Sequence, residues 1–561
     1  MGIDLYVTLN SQKYQLDTTG DDAPYKCYDQ SQYPAETQDQ FWLPWESKSW
    51  HQGERLKRIL KEEELELAAY HDAEGVDVSE WGELKLQTSL TRTYEVQSAT
   101  LPMVVTNDGS TLIGGFTSSN YIRTSTDATT WTGRTTVSAH AVTDLCVGTG
   151  QNIFAVQNGV LIESTNNGAS WASTSKTGAP TTIVGVTWCA DQLFVLTPTH
   201  LKYWDGAAWQ DAATWGGDVV ATYKEDVYWA EDNLLFRWNG MASFQADRLP
   251  TGFSITGLFD YGGLLFITGY FSLQGGKTGA VYYLYDTRRA HLFSIDSTDG
   301  SANYTINAVA GGIDEVFFAN AKRGGADRYD LTYGGLSCGP AWGGAGQIPF
   351  KGLAYWNGKL AIARYDNAAA TDGVYVANLA IPSAYKTTGW LTTAAYNFGW
   401  PNDSKIIKDI TVEHSALATG QSVKVEYSTN YGTSWTTAGT SNTAASTSAS
   451  YSLTSVSARD LKLKLTLAGG GSNTPTVRRV FAQGAPVVDD KQMWHLRVFI
   501  AAAKGGRSKV AALHTAKALQ STMSFIDLYG TSHNVIVQRV LEEPFLGSAN
   551  TMVATITLRE V

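Results

Sequence analysis

The stretch NIFAVQNGVLIESTNNGASW, residues 152–171, decides how this chain is read. A short apolar strand (NIFAVQ) turns into a second strand (VLIEST), which closes on STNNGASW at 164–171, of the form S-x-(D/N)-x-G-x-x-W. In such a turn small polar side chains satisfy the backbone amides while the tryptophan packs into the sheet. Ser164, Asn166, Gly168 and Trp171 are therefore expected to be fold determinants rather than reagents. The pattern returns as STNYGTSW at 428–435, with Ser428, Asn430, Gly432 and Trp435 in the same positions. A degraded copy, TSTDATTW, lies at 124–131, with Thr126 and Ala128 where the acidic residue and the glycine would stand.

The strand–turn–strand unit recurs along the middle of the chain. TLIGGF (111–116), NIFAVQ (152–157), QLFVLT (192–197), DVYWAE (226–231), LLFITG (264–269), EVFFAN (315–320) and KLAIAR (359–364) follow one another at start-to-start intervals of 34 to 51 residues. Partner strands come after most of them, as in HLKYWD, LLFRWN, VYYLYD and VYVANL, and a third strand precedes several, as in IVGVTW, ITGLFD and KGLAYW. Repeats of ~40–50 residues with about four short strands each are the signature of a β-propeller. Seven copies predict a seven-bladed propeller over residues 101–385. Stacked sandwiches with irregular repeats rank second, because one spacing persists through all seven copies.

The flanks read differently. Residues 386–486 carry ITVEH, SVKVEYS, LKLKLTLA and TVRRVFA, alternating with period two between Gly/Ser/Thr-rich turns, which predicts a β-sandwich. Residues 487–561 predict a small α+β unit: the strand WHLRVFI, a helix over SKVAALHTAKALQ, the hairpin SFIDLYGTSHNVIVQRV and a last strand MVATITL. Residues 1–100 lie outside the repeat and hold a Trp-rich segment, FWLPWESKSWHQG (41–53), together with the strand pair ELKLQTS and RTYEVQS. They are expected to form an N-terminal docking and entry segment, with the strand pair closing the ring or covering one face of it.

Composition narrows the function classes. Charged residues make up only 17% of the 561, below the ~25% of typical globular chains, so Thr, Ser, Asn and Gly must cover the surface. The net charge of −11 and the lack of any Lys/Arg-rich run argue against a nucleic-acid partner, which needs a basic footprint. The densest charge run, ERLKRILKEEELE (54–66), is of mixed sign and reads as a solvated helix face. The four cysteines are far apart, with no C-x-x-C or Cys/His spacing, and read as buried free thiols; neither a zinc site nor a disulfide framework is expected. The nine histidines show no paired spacing, DSTDG (296–300) lacks the ligand spacing of a calcium loop, and no glycine cluster has the context of a phosphate loop. No metal or other cofactor is expected. No secretory signal and no membrane-spanning apolar run are visible, so the expectation is a protein made in the cytoplasm that does not insert into membranes.

The motif at 164–171 is similar to the Asp-box of sialidases and other propeller glycosidases, and equally to that of propellers without chemistry. The sialidase resemblance would imply three arginines converging on a substrate carboxylate, a Tyr/Glu nucleophile pair and an R-I-P motif ahead of the first box. No R-I-P occurs, and Arg123, Arg237, Arg288, Arg289, Arg323, Arg328 and Arg364 cannot be assigned as a triad from the sequence. A paired acid and nucleophile, the ordinary requirement of glycoside hydrolysis, is not discernible either. The alternative of a sialidase-like or other propeller glycosidase, or of a carbohydrate-binding protein, therefore stands second, and no catalytic residue is assigned.

Segments outside the repeat carry a second resemblance. FWLPWESKSWHQGERL followed by EGVDVSEWGELKL is similar to the opening of propeller-bearing tail proteins of tailed bacteriophages, where a W-x-x-G segment and a G-(I/V)-D-x-x-x-x-G-x-L segment precede the propeller. VEYSTNYGTSW and MSFIDLYGTSHNVIV also resemble domains of phage tail virion proteins. The resemblance implies a non-enzymatic structural protein of the virion tail, at the tip or as a minor component. It would be made in the host cytoplasm without a signal peptide, join other tail proteins as a homo-oligomeric ring, and display a propeller toward a host-surface glycan or receptor.

Overall fold

In the computed structural model, residues 5–560 are described except 18–24, 30–42, 48–49, 51–52, 55–68, 96–99, 107, 117–121, 135–136, 138–139, 274–275, 296–302, 307, 321–324, 333, 342–349, 365–372, 383, 399–403, 470, 487–491, 502–505, 520 and 545–550. The charge run at 54–66 and the DSTDG turn lie almost wholly or wholly outside the described residues.

Why the middle of the chain folds as it does is visible in its second strands. Ile153–Gln157 is buried at every position, which a one-sided sheet would not allow. Its alternate side chains serve two cores. Ile153 and Ala155 pack with Ile113, Ile122 and Trp171 toward the preceding sheet, whereas Phe154 and Val156 pack with Ile183, Val186, Leu193 and Val195 of the following one. The period-two geometry of a strand turns a continuous apolar run into two faces.

Among the described residues this arrangement is repeated in seven sheets, antiparallel through their four core strands, whose first strands are Thr100–Val105, Val142–Val147, Gly185–Cys189, Val219–Tyr223, Phe253–Tyr261, Val309–Gly311 and Phe350–Trp356. Each of these lies beside the next, and Phe350–Trp356 lies beside Thr100–Val105, so the series closes on itself as a β-propeller. The seven apolar runs singled out in the sequence are the second strands of these sheets. Six sheets take their four core strands in order along the chain. The seventh takes its outermost strand, Thr91–Glu95, from the N-terminal side, where it pairs with Gly373–Asn378. Strands from both ends of the repeat thus fasten the ring.

After the ring, two antiparallel sheets share one apolar core. Leu391, Val423, Val425, Leu463, Leu465 and Leu467 come from a five-stranded sheet, and Ile407, Ile410, Val412, Val480 and Ala482 from a four-stranded one. Tyr70 and Cys338 of the sixth propeller sheet join the same core, tying it to the ring, together with Trp50, Val76 of a small hairpin, and Ala73 on a strand of the five-stranded sheet.

The two ends of the chain meet in a further sheet. Tyr6–Leu9, Gln12–Leu16, Gln492–Ala501, Met523–Ile526, Ser532–Pro544 and Thr551–Glu560 pair in a closed circuit, sealed where Gln15 and Leu16 face Phe499 and Val498. Tyr25–Asp29 adds to Gln492–Ala501 beside that closure. The helix Gly506–Leu519 packs Val510, Leu513 and Ala516 into the barrel core, around the fully buried Trp494.

The strands of residues 1–100 are distributed over several sheets, and Thr91–Glu95, from the strand pair expected to close the ring or cover a face, completes the seventh sheet. They are shared among the barrel, both sheets that follow the ring, the sixth and seventh propeller sheets, and a small hairpin pairing Val76–Asp77 with Lys85–Leu86. The physical reason is their length: runs of two to six residues cannot bury a core alone, and each instead satisfies the backbone edge of a larger sheet. Cysteine burial also differs from expectation. Cys189 and Cys338 are buried and Cys146 partly so, but Cys27 is exposed on the strand beside the barrel closure. Among the described residues no helix is long and apolar enough to cross a membrane.

Candidate functional site

The motif at 164–171 is a closed hydrogen-bond unit. Ser164 Oγ donates to Asn166 Oδ1 at 2.9 Å and accepts from the Gly168 amide at 2.9 Å. Asn166 Oδ1 accepts the Ser170 amide at 2.9 Å, while its Nδ2 donates to Ser170 Oγ at 2.8 Å. The Trp171 indole donates to Gly168 O at 3.1 Å, and its ring packs with Ile113, Ile122, Val142 and Leu145 between the first two sheets. Gly168 has φ +79°, a left-handed conformation that favours glycine, and a Cβ there would stand 2.7 Å from Ile113 Cδ1, so the Ile113 side chain would have to shift as well.

The second copy repeats the polar half only. Ser428 Oγ donates to Asn430 Oδ1 at 2.8 Å and accepts from the Gly432 amide at 2.8 Å, and Ser434 N donates to Asn430 Oδ1 at 3.0 Å. Trp435 is only partly buried, however, and lies under the Lys464 ammonium, 6.0 Å from its ring centroid.

The degraded copy at 124–131 is a shorter box in a shifted frame. Ser125 and Asp127, rather than Thr124 and Thr126, take the polar roles: Ser125 Oγ donates to Asp127 Oδ1 at 3.0 Å, and that oxygen accepts the amides of Thr129 and Thr130 at 2.7 and 2.6 Å. Those amides, Thr130 foremost, hold the Asp127 carboxyl well below the usual carboxylate range. Ala128, at φ +62° and fully buried, stands where the long box has Asn167, so the glycine is deleted rather than replaced. The same short turn recurs in sheets three and four. Asp205 Oδ1 accepts the amides of Ala207 and Ala208, and Asn239 Oδ1 those of Met241 and Ala242. In the sequence these two read as Asp-Gly and Asn-Gly hairpin turns but not as boxes, because D-G-A-A-W and N-G-M-A lack the serine that begins the motif.

Polar groups also latch one sheet to the next. Asp144, on the innermost strand of sheet two, accepts the amides of Leu145 at 2.9 Å and of Val186, on the innermost strand of sheet three, at 2.8 Å. It is partly accessible on the inner wall of the ring yet crowded by protein, and burial pushes its carboxyl up to about 7, against the pull of those amides. Further round, Thr187 and Thr222 share a hydrogen bond of 2.9 Å, and Thr256 Oγ1 donates to Ile306 O at 3.1 Å. At the seam the Trp356 indole donates to Gly109 O at 2.7 Å.

The described propeller arginines are spread over five sheets, with Arg288 and Arg289 adjacent on one strand of sheet five. Arg123 lies over the Tyr94 ring, Arg237 pairs with Asp226, and Arg289 pairs with Asp247 at 2.9 Å. Arg328 binds Glu315 and, at 3.2 Å, Asp77 of the hairpin at 76–86. Burial alone would raise the Asp77 carboxyl, but Arg328 and the Ser79 amide hold it below its ordinary value. This pair is a clamp between the N-terminal segment and sheet six. Arg288 begins the outermost strand of sheet five, Arg364 ends the strand Lys359–Arg364, and Arg323 is outside the described residues.

A pocket of about 360 Å3 opens on the four-stranded sheet, lined by Glu413, His414, Ser415, Ala416, Thr447, Ser448 and Arg478. His414 is buried in its wall, with its ring nitrogens 2.8 Å from Ser415 O and 2.9 Å from Ser441 Oγ. Among the described residues no group of three or more His, Cys, Asp or Glu side chains is placed to hold a metal ion.

No protein-family model matches the chain, and no curated protein matches it. Solved structures similar to it include the β-propeller domain of Cps50 (Swd1) from Myceliophteria thermophila, at 10% identity and a TM-score of 0.39, covering 52% of this chain and 99% of that one. YCF48 bound to a D1 peptide is similar at 13% identity and a TM-score of 0.39, covering 55% and 98%. BamB from Moraxella catarrhalis is similar at 11% identity and a TM-score of 0.32, covering 52% and 96%. At these TM-scores the likeness carries no functional argument, and the assignment of the fold rests on the strand pairings.

Proposed function

We propose that this chain is a non-enzymatic structural protein of a bacteriophage tail, a tail-tip or minor tail component. In this reading the seven sheets are the blades of a seven-bladed propeller, the two sheets behind it a β-sandwich, and the barrel the base that docks on neighbouring tail proteins. The observation that carries the reading concerns MSFIDLYGTSHNVIV, one of the phrases similar to phage tail virion proteins. It forms the hairpin Met523–Ile526 and Ser532–Pro544, which joins the N-terminal strand Tyr6–Leu9 to the C-terminal strands of the barrel. The segment that carries the resemblance is thus the one that unites the chain ends. The acidic balance adds support, since it disfavours contact with the genome. Assembly as a symmetric ring fits a tail built on cyclic symmetry. Mass spectrometry of purified phage particles tests the proposal: the chain should be recovered in stoichiometric amounts with tail proteins, and its absence from the particles rejects the virion role.

A further inference from the structure

We infer that the pocket behind the propeller binds a carboxylated sugar of the hexuronate type, with Arg478 as the carboxylate ligand. The inference begins with a bulge. Glu413 faces Arg479 and His414 faces Val477 across the strand pair, which leaves Arg478 as the extra residue. Val477 and Val480 both enter the core, so two successive arginines are turned to the outer face between them. Bulges re-aim side chains in this way, often beside binding sites.

The two arginines then differ in their partners. Arg479 Nη2 meets Glu413 Oε1 at 2.5 Å and its Nη1 lies 3.5 Å from Glu46 Oε1, which commits its guanidinium within the sheet. Hydrogen bonding from Arg479 also holds the Glu413 carboxyl below its ordinary value, so that group stays ionised and engaged. Arg478 is exposed, has no ion-pair partner among the described residues, and lines the pocket. A planar guanidinium so placed is suited to bidentate binding of a carboxylate. Around it Ser415, Thr447 and Ser448 supply hydroxyl groups, and Glu413 supplies a carboxylate that accepts from sugar hydroxyls. Ser415 is held in place by the Thr476 amide, which donates to its Oγ at 3.2 Å, and the Thr447 carbonyl accepts the His414 amide at 2.9 Å. At about 360 Å3 the pocket is near the lower end of small-molecule sites (~300–1,000 Å3), which suits a single sugar ring.

This inference does not rest on the virion assignment, and its failure would leave particle incorporation untouched. The test is calorimetric titration of the full chain with D-glucuronate and D-galacturonate, with D-glucose as the neutral control and polygalacturonate as the polymeric source. Saturable binding of a hexuronate or of the polymer, at least ten times tighter than glucose, is expected. Arg478→Ala should abolish it and Arg478→Lys retain part of it, while the melting temperature of the unliganded R478A protein stays that of the parent. Binding of the polymer alone would place the ligand within a polysaccharide, and binding of the monomers would admit the free sugar acid. No saturable binding, equal binding of glucose, or full binding by R478A would overturn the inference.

Discussion

Asp29 and Gln492 face each other as directly paired residues on antiparallel strands, although most of the chain runs between them. The chain leaves the barrel at Asp29 and returns to it at Gln492, so the propeller and the two-sheet unit are inserted between neighbouring strands. Joining the two residues by a short glycine linker should give a compact barrel with Trp494 buried, seen as cooperative unfolding and a blue-shifted tryptophan emission. The opposite truncation, removal of 487–561, leaves Tyr6–Leu9 and Gln12–Leu16 paired only with each other and takes away the partner of Tyr25–Asp29. That product is expected to keep a folded propeller but expose strand edges and associate, as size-exclusion chromatography would reveal.

The two boxes separate in energy. Trp171→Ala should cost ~3–5 kcal/mol through loss of buried packing between sheets one and two. Trp435→Ala, at a partly exposed ring, should cost about 1–2 kcal/mol. Denaturant unfolding of both variants checks the order, and equal losses would contradict it.

The seam of the ring rests on Tyr94. Its ring meets Phe116 and Trp131 at centroid distances of 6.0 and 6.5 Å, joining the borrowed strand of sheet seven to sheet one. Tyr94→Ala should lower stability by ~2–4 kcal/mol and open the ring to proteolysis near residues 91–105 before other sites are cut.

Asp144 makes the ring sensitive to pH. Its folded pKa of about 7 lies above the value of an unfolded aspartate, so its contribution is complete in acid and is lost as pH rises from about 4 through 7. Asp144→Asn removes that loss while leaving an oxygen to accept the Val186 amide. The advantage of the variant over the parent should therefore grow from pH 4 to 7 and level off above, reaching on the order of 1–3 kcal/mol after allowance for partial exposure. Melting curves at pH 4.5, 6 and 8 check this, and a constant difference across them would contradict it.

How much of this was legible in the sequence depends on where a residue's partners lie. The second strands were readable because burial on both faces writes an uninterrupted apolar run, as in Ile153–Gln157. The box residues Ser164, Asn166, Gly168 and Trp171 were readable because their bonds stay within the motif. The frame at 124–131 was misjudged, because a one-residue deletion leaves Ser125 and Asp127 bonded while displacing them from the pattern. The N-terminal strands were legible only in part: the pair that includes RTYEVQS is expected to close the ring or cover a face, but with no partner strand assigned. Nothing local to Thr91–Glu95 or Tyr25–Asp29 marks Gly373–Asn378 or Gln492–Ala501 as its partner. Arg478 was equally hidden, since a bulge depends on the register of a neighbouring strand.

Antibody labelling of intact phage particles, read by electron microscopy with antibodies raised against the propeller, tests the central proposal most directly. The account predicts label at the tail, at or near its tip, in repeated copies around the axis. Label confined to the capsid, or none on particles that otherwise contain a full set of tail proteins, would contradict it.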